Sequence, residues 1–273
     1  MNQRPTGQHD RTSDIGPFTV ETSDSSLRKF VQALGPEATS TRNALDVPHT
    51  FPINWITRRE IRSKINDALV RPLQLSQTIS YHKPLQVNER YSLSGSCSVA
   101  QIEKTIRLDL SVKDFRGDQI LDMQTTILGD VIPRQQDPAK SSIGRDAIIT
   151  FGKIGQERAR LYAEASGDDN PIHIDPATAR MLGFRDCIAH GMLIVGYFEE
   201  SVRRWRTEAR LTGTTTRFIH PLSVSDPFTV SIRVIKRSQD GLSMLRLLVG
   251  NSLGHIIAIC DAQIVTSAGS IHG

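Results

Sequence analysis

The chain has 273 residues, of which 38% are hydrophobic and 23% are charged, and its formal net charge at pH 7 is +4. No apolar run approaches the roughly 20 residues that a membrane-spanning helix needs, which excludes a helical transmembrane protein. Basic and acidic residues are interleaved, so duplex nucleic acid is excluded as the main partner.

Three widely spaced cysteines argue against a disulfide framework and a zinc site. The polar tail over residues 1–14 lacks the apolar segment of a secretory signal, so we expect a cytoplasmic location.

The first predicted domain spans residues 15–130. Residues 23–35 have the N-cap, the apolar face and the closing glycine of a helix. Residues 106–113 alternate apolar with polar side chains, which predicts a strand with one buried face. Residues 114–117 then form a short turn that ends in glycine, so a hairpin is expected.

A linker is predicted over residues 131–147, because the segment has two prolines, few large apolar residues and no periodicity. The second predicted domain spans residues 148–268. In it, residues 155–167 repeat the capped helix of the first half. Residues 191–204 predict a longer helix that is apolar nearly all round at its start, so we expect a sheet to wrap it.

The two halves are copies of one unit. Residues 84–93 align with residues 221–230 at an offset of 137, and the same offset carries residues 114–117 onto residues 251–254. Each half has the order helix, Pro-Leu, polar turn, alternating strand, glycine turn and final strand. Two antiparallel units, each with its own helix, are therefore predicted.

The second half carries the residues that indicate chemistry. Asp168 and His173 are separated by a proline turn, which can bring a carboxylate and a neutral imidazole to one concave side, where both can hold a single water. Gly191 begins the long apolar helix, and its free amide lies at the positive end of the helix dipole. Such an amide is suited to a carbonyl oxygen that becomes negative in a transition state.

This region resembles the MaoC-like dehydratases, also called (R)-specific enoyl-CoA hydratases or hydratase 2. The family pattern Ser-Gly-Asp-x-Asn-Pro-x-His-x-Asp stands at residues 166–175, Gly-Phe at residues 183–184, and Ile-Ala-His-Gly-Met-Leu at residues 188–193. One departure is Ser225-Asp226, where the family commonly has Gly-Asp in a turn. The resemblance implies an α+β double hot-dog fold, with two curved antiparallel sheets each around a central helix and the first half degenerate.

The resemblance also implies roles for the motif residues. Asp168 and His173 position and deprotonate the water that adds to a 2-enoyl thioester, and the amide of Gly191 binds the thioester oxygen. Asn170 and Ser166 support the loop. His190 is expected to be a packing or hydrogen-bonding residue at the start of the helix.

The first half lacks this motif, so one active site per chain is expected. Residues 48–69 stand where its central helix should run, but Pro52 interrupts the segment and the remainder is polar. By the resemblance, such a degenerate half makes room for a bulky acyl chain.

The basic cluster Arg203, Arg204 and Arg206 has two interpretations. It is a solvated helix end that complements the helix dipole, or it binds the phosphates of coenzyme A or an acidic acyl carrier protein. We expect no metal ion, nicotinamide or flavin as cofactor. The substrate is expected to be an acyl thioester on coenzyme A or on a carrier protein, in fatty acid metabolism, and the protein a homodimer with no membrane partner.

Two alternatives to a hydratase or dehydratase are kept. A thioesterase has the same fold, but it uses an acid near the start of the central helix, whereas Glu199 and Glu200 lie two turns into it. A non-catalytic acyl-thioester-binding or assembly subunit is the second alternative. The intact Asp168 and His173 count against it.

Overall fold

The computed structural model describes residues 10–35, 46–69, 72–129, 145–238 and 241–266. The strands in these residues form one antiparallel sheet in the order β1-β3-β4-β5-β2-β7-β10-β9-β8-β6. The strands are β1 Arg11–Glu21, β2 Leu73–Tyr81, β3 Arg90–Ala100, β4 Thr105–Lys113, β5 Gln119–Leu128, β6 Ala147–Phe151, β7 Ala209–Phe218, β8 Phe228–Arg237, β9 Leu242–Asn251 and β10 Ile256–Thr266. The helices are α1 Asp24–Leu34, α2 Ile53–Ile56, α3 Arg59–Ala68, α4 Gln156–Ser166, α5 Pro171–Ile174, α6 Pro176–Met181 and α7 Gly191–Trp205.

The sheet consists of two five-stranded halves that join where β2 pairs with β7. Thr78 lies opposite Thr215, and the two are 137 residues apart, which is the offset of the sequence repeat. Their hydroxyl oxygens are 3.4 Å apart. A pseudo-twofold axis therefore passes through this pair, and the predicted α+β double hot-dog is confirmed.

The repeat is also visible in individual hydrogen bonds. In the hairpin between β4 and β5, Gly117 N donates to Asp114 O over 3.0 Å; in the hairpin between β9 and β10, Gly254 N donates to Asn251 O over 3.1 Å. Both glycines have positive φ, the conformation in which glycine is favoured. The predicted hairpins are confirmed.

The core lies between the sheet and the helices. In β4, every second residue is fully or almost fully buried, which is the predicted alternation. Helix α7 is buried from Met192 to Val202 and contacts β6, β7, β8 and β10. The prediction that a sheet wraps this helix is confirmed.

In the first half, two short helices replace the long central helix. Helix α2 ends at Thr57, and Arg58 has extended backbone (φ −54°, ψ 143°) before α3 begins. Helix α3 buries only Ile61 and Ile65, which are one turn apart on a single face. The first half is therefore degenerate, as expected.

The domain boundaries differ slightly from those predicted. Residues 11–14 belong to β1 and pair with β3, so the predicted tail over residues 1–14 is too long. The linker prediction of residues 131–147 falls largely outside the described residues, and β6 already begins at Ala147. Among the residues described, no helix is both long and apolar enough to cross a bilayer.

We predict that Gly95→Ala lowers the free energy of unfolding by at least about 2 kcal/mol. A Cβ at this position of β3 would lie 2.0 Å from the backbone oxygen of Asp109 in the paired strand β4, and backbone atoms have little freedom to move away. Chemical denaturation measures the change. Gly152→Ala is the matched control because its Cβ would meet nothing within 4 Å, and an equal effect of the two substitutions would contradict the prediction.

Candidate active site

The loop that carries Asp168 is defined by the end of one helix and the start of another. Helix α4 ends at Ser166, and Gly167 takes the left-handed conformation (φ 74°) that closes it. Asn170 caps the next helix by accepting a hydrogen bond from Ile172 N, and a proline at the first helical position favours the helical φ. These local signals place His173 in α5, facing back towards the loop.

Three ionisable side chains meet at this point. One carboxylate oxygen of Asp168 and one ring nitrogen each of His173 and His190 lie within 4.8 Å of one another. Both histidines are buried and Asp168 is half-buried. The predicted Asp–His pair is therefore brought together, with His190 as a third member.

The orientation of the His173 ring follows from its hydrogen bond. Its Nδ1 lies 2.8 Å from the backbone oxygen of Ile188, which can only accept, so Nδ1 is the donor. Nε2 is then the ring nitrogen that is left for a water or a substrate.

His190 is fixed in the same way. Its Nε2 donates to the backbone oxygen of Asp168 over 3.0 Å, and its ring stacks on that of His173 with 4.0 Å between centroids. Burial, followed by the neighbouring His173, lowers the pKa of His190 far below its usual value. His190 is therefore neutral, and its hydrogen bond orders the loop at Asp168.

Ser166 and Asn170 occupy the loop-supporting positions that were predicted. The Ser166 hydroxyl donates to Tyr162 O over 2.7 Å and accepts from Asp168 N over 3.2 Å. The backbone N of Asn170 donates to Oδ1 of Asp168 over 3.4 Å. The carboxylate of Asp168 is therefore oriented by its own loop.

Two residues of the first half hold this loop from the opposite side. The Thr57 hydroxyl, at the break between α2 and α3, donates to Ser166 O, and Arg62 Nη1 donates to Gly167 O over 2.9 Å. Arg62 also forms an ion pair with Asp169. The degenerate half thus supports the loop that carries Asp168.

Gly191 begins α7 beside this cluster. No described residue accepts a hydrogen bond from its N–H. A Cβ at Gly191 would lie 3.0 Å from Cζ of Phe218 and 3.1 Å from Oε1 of Gln74, so a side chain would crowd these two neighbours. The amide is therefore available to a ligand at the positive end of the helix dipole.

A cavity of about 840 Å³ connects the cluster to Gly191. Asp168, Asn170 and His173 contribute to one part of its wall, and the remainder is mostly apolar. The larger apolar side chains come from both halves: Ile53, Ile56, Ile65, Leu73 and Ile127 from the first, and Phe184, Ile188, Met192, Ile194 and Phe218 from the second. The cavity therefore lies between the two halves.

The chain was compared with known proteins. Residues 133–244 match the family described as MaoC like domain. The chain is 48% identical over 197 residues to the 3-hydroxyacyl-thioester dehydratase X of Mycobacterium tuberculosis, an alignment that covers 67% of this chain and 69% of the relative. The chain belongs to the MaoC-like dehydratase family.

Two further comparisons agree with this membership. The chain is 28% identical over 102 residues to the mitochondrial 3-hydroxyacyl-[acyl-carrier-protein] dehydratase of Arabidopsis thaliana, which covers 35% of this chain and 61% of that protein. A solved MaoC-like dehydratase superposes with a TM-score of 0.75 at 16% identity, over 94% of this chain and 98% of its own. This superposition shows that the two structures share the double hot-dog arrangement.

The structure does not bring the predicted arginines to the cavity of this MaoC-like dehydratase. Arg203 forms ion pairs with Asp46 and Glu199, and Arg204 pairs with Glu200. Arg206 lies over the ring of Trp205. All three are at the end of α7 opposite to Gly191, about 20 Å away for a helix of this length. Their role in binding the phosphates of coenzyme A or an acidic carrier protein stays a prediction.

Four cavity or loop residues were missed in the sequence: Thr57, Arg62, Gln74 and Tyr162. Tyr162 is the one with a local signal, because it stands one turn before Ser166 on the apolar face of α4. Its hydroxyl is buried, and no described group is within hydrogen-bonding distance of it. Burial raises the pKa of Tyr162 well above its usual value, so it is a neutral donor in the cavity wall.

We predict that His190 destabilises the fold in acid. Its folded pKa is below its unfolded value, so stability is complete above pH 6.5 and is lost as the unfolded state takes up a proton at lower pH. In denaturation experiments between pH 8 and pH 5, wild type should lose about 2 kcal/mol more than His190→Gln. Parallel pH dependences of the two proteins would contradict a neutral buried His190.

We predict that Arg62→Ala loosens the loop. Loss of the hydrogen bond to Gly167 O and of the ion pair with Asp169 should raise amide exchange at Asp168 and Asn170 by roughly fivefold to tenfold, since the ion pair is partly exposed. Hydrogen exchange followed by mass spectrometry measures this. Arg59→Ala, at an exposed position of the same helix, is the matched control, and unchanged exchange in Arg62→Ala would refute the contact's role.

Proposed function

We propose that the protein adds water to 2-enoyl thioesters and, in the reverse direction, dehydrates (3R)-3-hydroxyacyl thioesters. One observation carries this proposal: a carboxylate oxygen of Asp168 and a ring nitrogen of His173 lie within 4.8 Å of each other in the wall of an apolar cavity, beside the free amide of Gly191. Such a pair can hold one water, and the amide can hold the thioester oxygen. The names of the relatives from Mycobacterium tuberculosis and Arabidopsis thaliana describe this class of reaction.

The proposed reaction uses the Asp168–His173 pair on one part of the cavity wall and the Gly191 amide on another. The water held by Asp168 and His173 loses a proton to the pair as its oxygen forms a bond to C3 of the enoyl group. The electrons of the double bond move towards the thioester carbonyl, and an enolate forms. The pair then returns a proton to C2, so that H₂O has been added across the double bond with no other reactant.

The amide of Gly191 stabilises the enolate. Its N–H points from the start of α7, where the helix dipole adds to the attraction for negative charge. A donor that is positioned before the reaction lowers the barrier because it needs no reorganisation, and one such donor contributes about 10²–10³ in rate. A side chain at this place would press against Phe218 and Gln74, whose nearest atoms are 3.0 Å and 3.1 Å from the position of a Cβ.

We propose that no metal, nicotinamide or flavin takes part. The cluster of Asp168, His173 and His190 offers oxygen and nitrogen atoms that also suit a divalent ion. His173 and His190 each use one ring nitrogen for a backbone carbonyl, and this leaves one nitrogen of each ring. A water between Asp168 and His173 makes use of the remaining atoms, and the hydration chemistry needs no further group.

The substrate is proposed to be a bulky acyl thioester on coenzyme A or on an acyl carrier protein. The apolar cavity extends between the two halves, because two short helices stand where a central helix would fill the space. A thioesterase is disfavoured, since Glu199 and Glu200 are buried and bonded to His49 N, Arg203 and Arg204. A role in fatty acid metabolism, a homodimer and a cytoplasmic location stay predictions.

The test is the hydration of enoyl-CoA, followed by loss of its conjugated absorbance. Asp168→Asn and His173→Ala should each lower kcat/KM by at least about 10²-fold, because proton transfer from a positioned group is removed. Asp67→Asn and His82→Ala, at exposed positions away from the cavity, are the matched controls. A chelator should leave the wild-type rate unchanged.

Three outcomes would contradict the proposal. Activity that persists in both active-site variants would remove the pair from the mechanism. Thiol release with retention of the double bond would identify a thioesterase. Loss of activity with chelator and recovery with a divalent ion would assign the cluster to a metal.

A further inference from the structure

A side chain from the first half lies next to the proposed thioester site. Gln74, in β2, lines the cavity, and its Oε1 is 3.1 Å from the position that a Cβ on Gly191 would occupy. It is therefore adjacent to the amide that we assign to the thioester oxygen. The position 137 residues later in the second half is Leu211, so this polar group is a feature of the degenerate half alone.

The orientation of the Gln74 amide is set by a chain of hydrogen bonds. Gln77 Nε2 donates to the backbone oxygen of Thr78 over 3.0 Å, which fixes its own Oε1 as an acceptor. That oxygen accepts from Thr125 Oγ1 over 2.7 Å and from Gln74 Nε2 over 2.8 Å. The backbone oxygen of Thr78 can only accept, so the donor and the acceptor in each of these hydrogen bonds are fixed. Gln74 therefore donates through Nε2 and turns its Oε1 towards Gly191.

This arrangement leaves a fixed acceptor in the cavity. Gln77 and Thr125 are almost fully buried, so the side chain of Gln74 is held from behind by groups that cannot exchange with solvent. No described residue donates to Oε1 of Gln74. An acceptor here repels the thioester oxygen, and so it favours a ligand with an N–H or O–H nearby.

We propose that Gln74 Oε1 accepts a hydrogen bond from the first amide N–H of the substrate's thiol arm. This inference rests on the proposed function. On the acyl side of the thioester, the enoyl group carries only C–H groups. On the sulfur side, coenzyme A and a phosphopantetheine carrier have the same arm, with an amide two methylenes beyond the sulfur. Gln74 is thus a residue that recognises the carrier arm and sets the thioester against Gly191.

The test compares two small thioesters of the same enoyl acid. One has N-acetylcysteamine as its thiol. The other has the matching thiol in which an ester oxygen replaces the amide N–H. Wild type should prefer the amide by about tenfold in kcat/KM, because the ester leaves Gln74 Oε1 without a donor. Gln74→Leu should turn over the two at similar rates, and Gln124→Leu should keep the preference, since Gln124 bonds to Asp109 outside the cavity.

The outcomes separate this inference from the proposed function. Hydration of both thioesters by wild type at equal kcat/KM would overturn the role of Gln74 and leave the hydratase intact; hydration of neither would overturn both. Enoyl-CoA and enoyl carrier protein are also compared, since both present the same amide. Gln74→Leu should lower kcat/KM by the same factor for each, and a loss confined to one carrier would contradict recognition of the shared arm.

Discussion

The active site depends on two hydrogen bonds from imidazole rings to backbone carbonyls. His173 donates to Ile188 O and His190 donates to Asp168 O, and each bond fixes a tautomer as well as a ring orientation. The two rings stack at 4.0 Å, an arrangement in which two positive charges would repel strongly. Both rings are thereby held in the loop that brings Asp168 close to His173, the pair that we propose shares a water.

The duplicated fold explains how that loop is held. A pseudo-twofold axis relates the halves through Thr78 and Thr215, yet only the second half carries the motif. In the first half, the break in the central helix exposes Thr57 and Arg62 to the catalytic loop and leaves an apolar space between the halves. The degenerate half thus supports the loop of the second half and contributes to the apolar space beside it.

Much of this architecture was predictable because its signals are local. Glycines and caps mark α1 and α4, strand alternation marks β4, and the loop with Asp168 and His173 has its own turn chemistry. The features that depend on contacts between residues far apart in the sequence were not predicted. Residues 11–14 join a strand only because β3 lies beside them, and Arg62 and Gln74 reach the site only through packing of the halves.

The three predicted arginines lie far from the start of α7. They follow Gly191 in sequence by about four helical turns, and a helix moves residues away from its start by 1.5 Å per residue. In the fold, Arg203 forms ion pairs with Asp46 and Glu199, and Arg204 forms one with Glu200.

The central claim is that one carboxylate–imidazole pair handles both the water and the returning proton. It is tested most directly by hydration of an enoyl thioester in D₂O, with the relative configuration at C2 and C3 of the product read by NMR. Since Asp168 and His173 lie together on one wall of the cavity, oxygen and deuterium should arrive on the same face, giving a single syn product. An anti product, or a mixture of the two, would contradict the account.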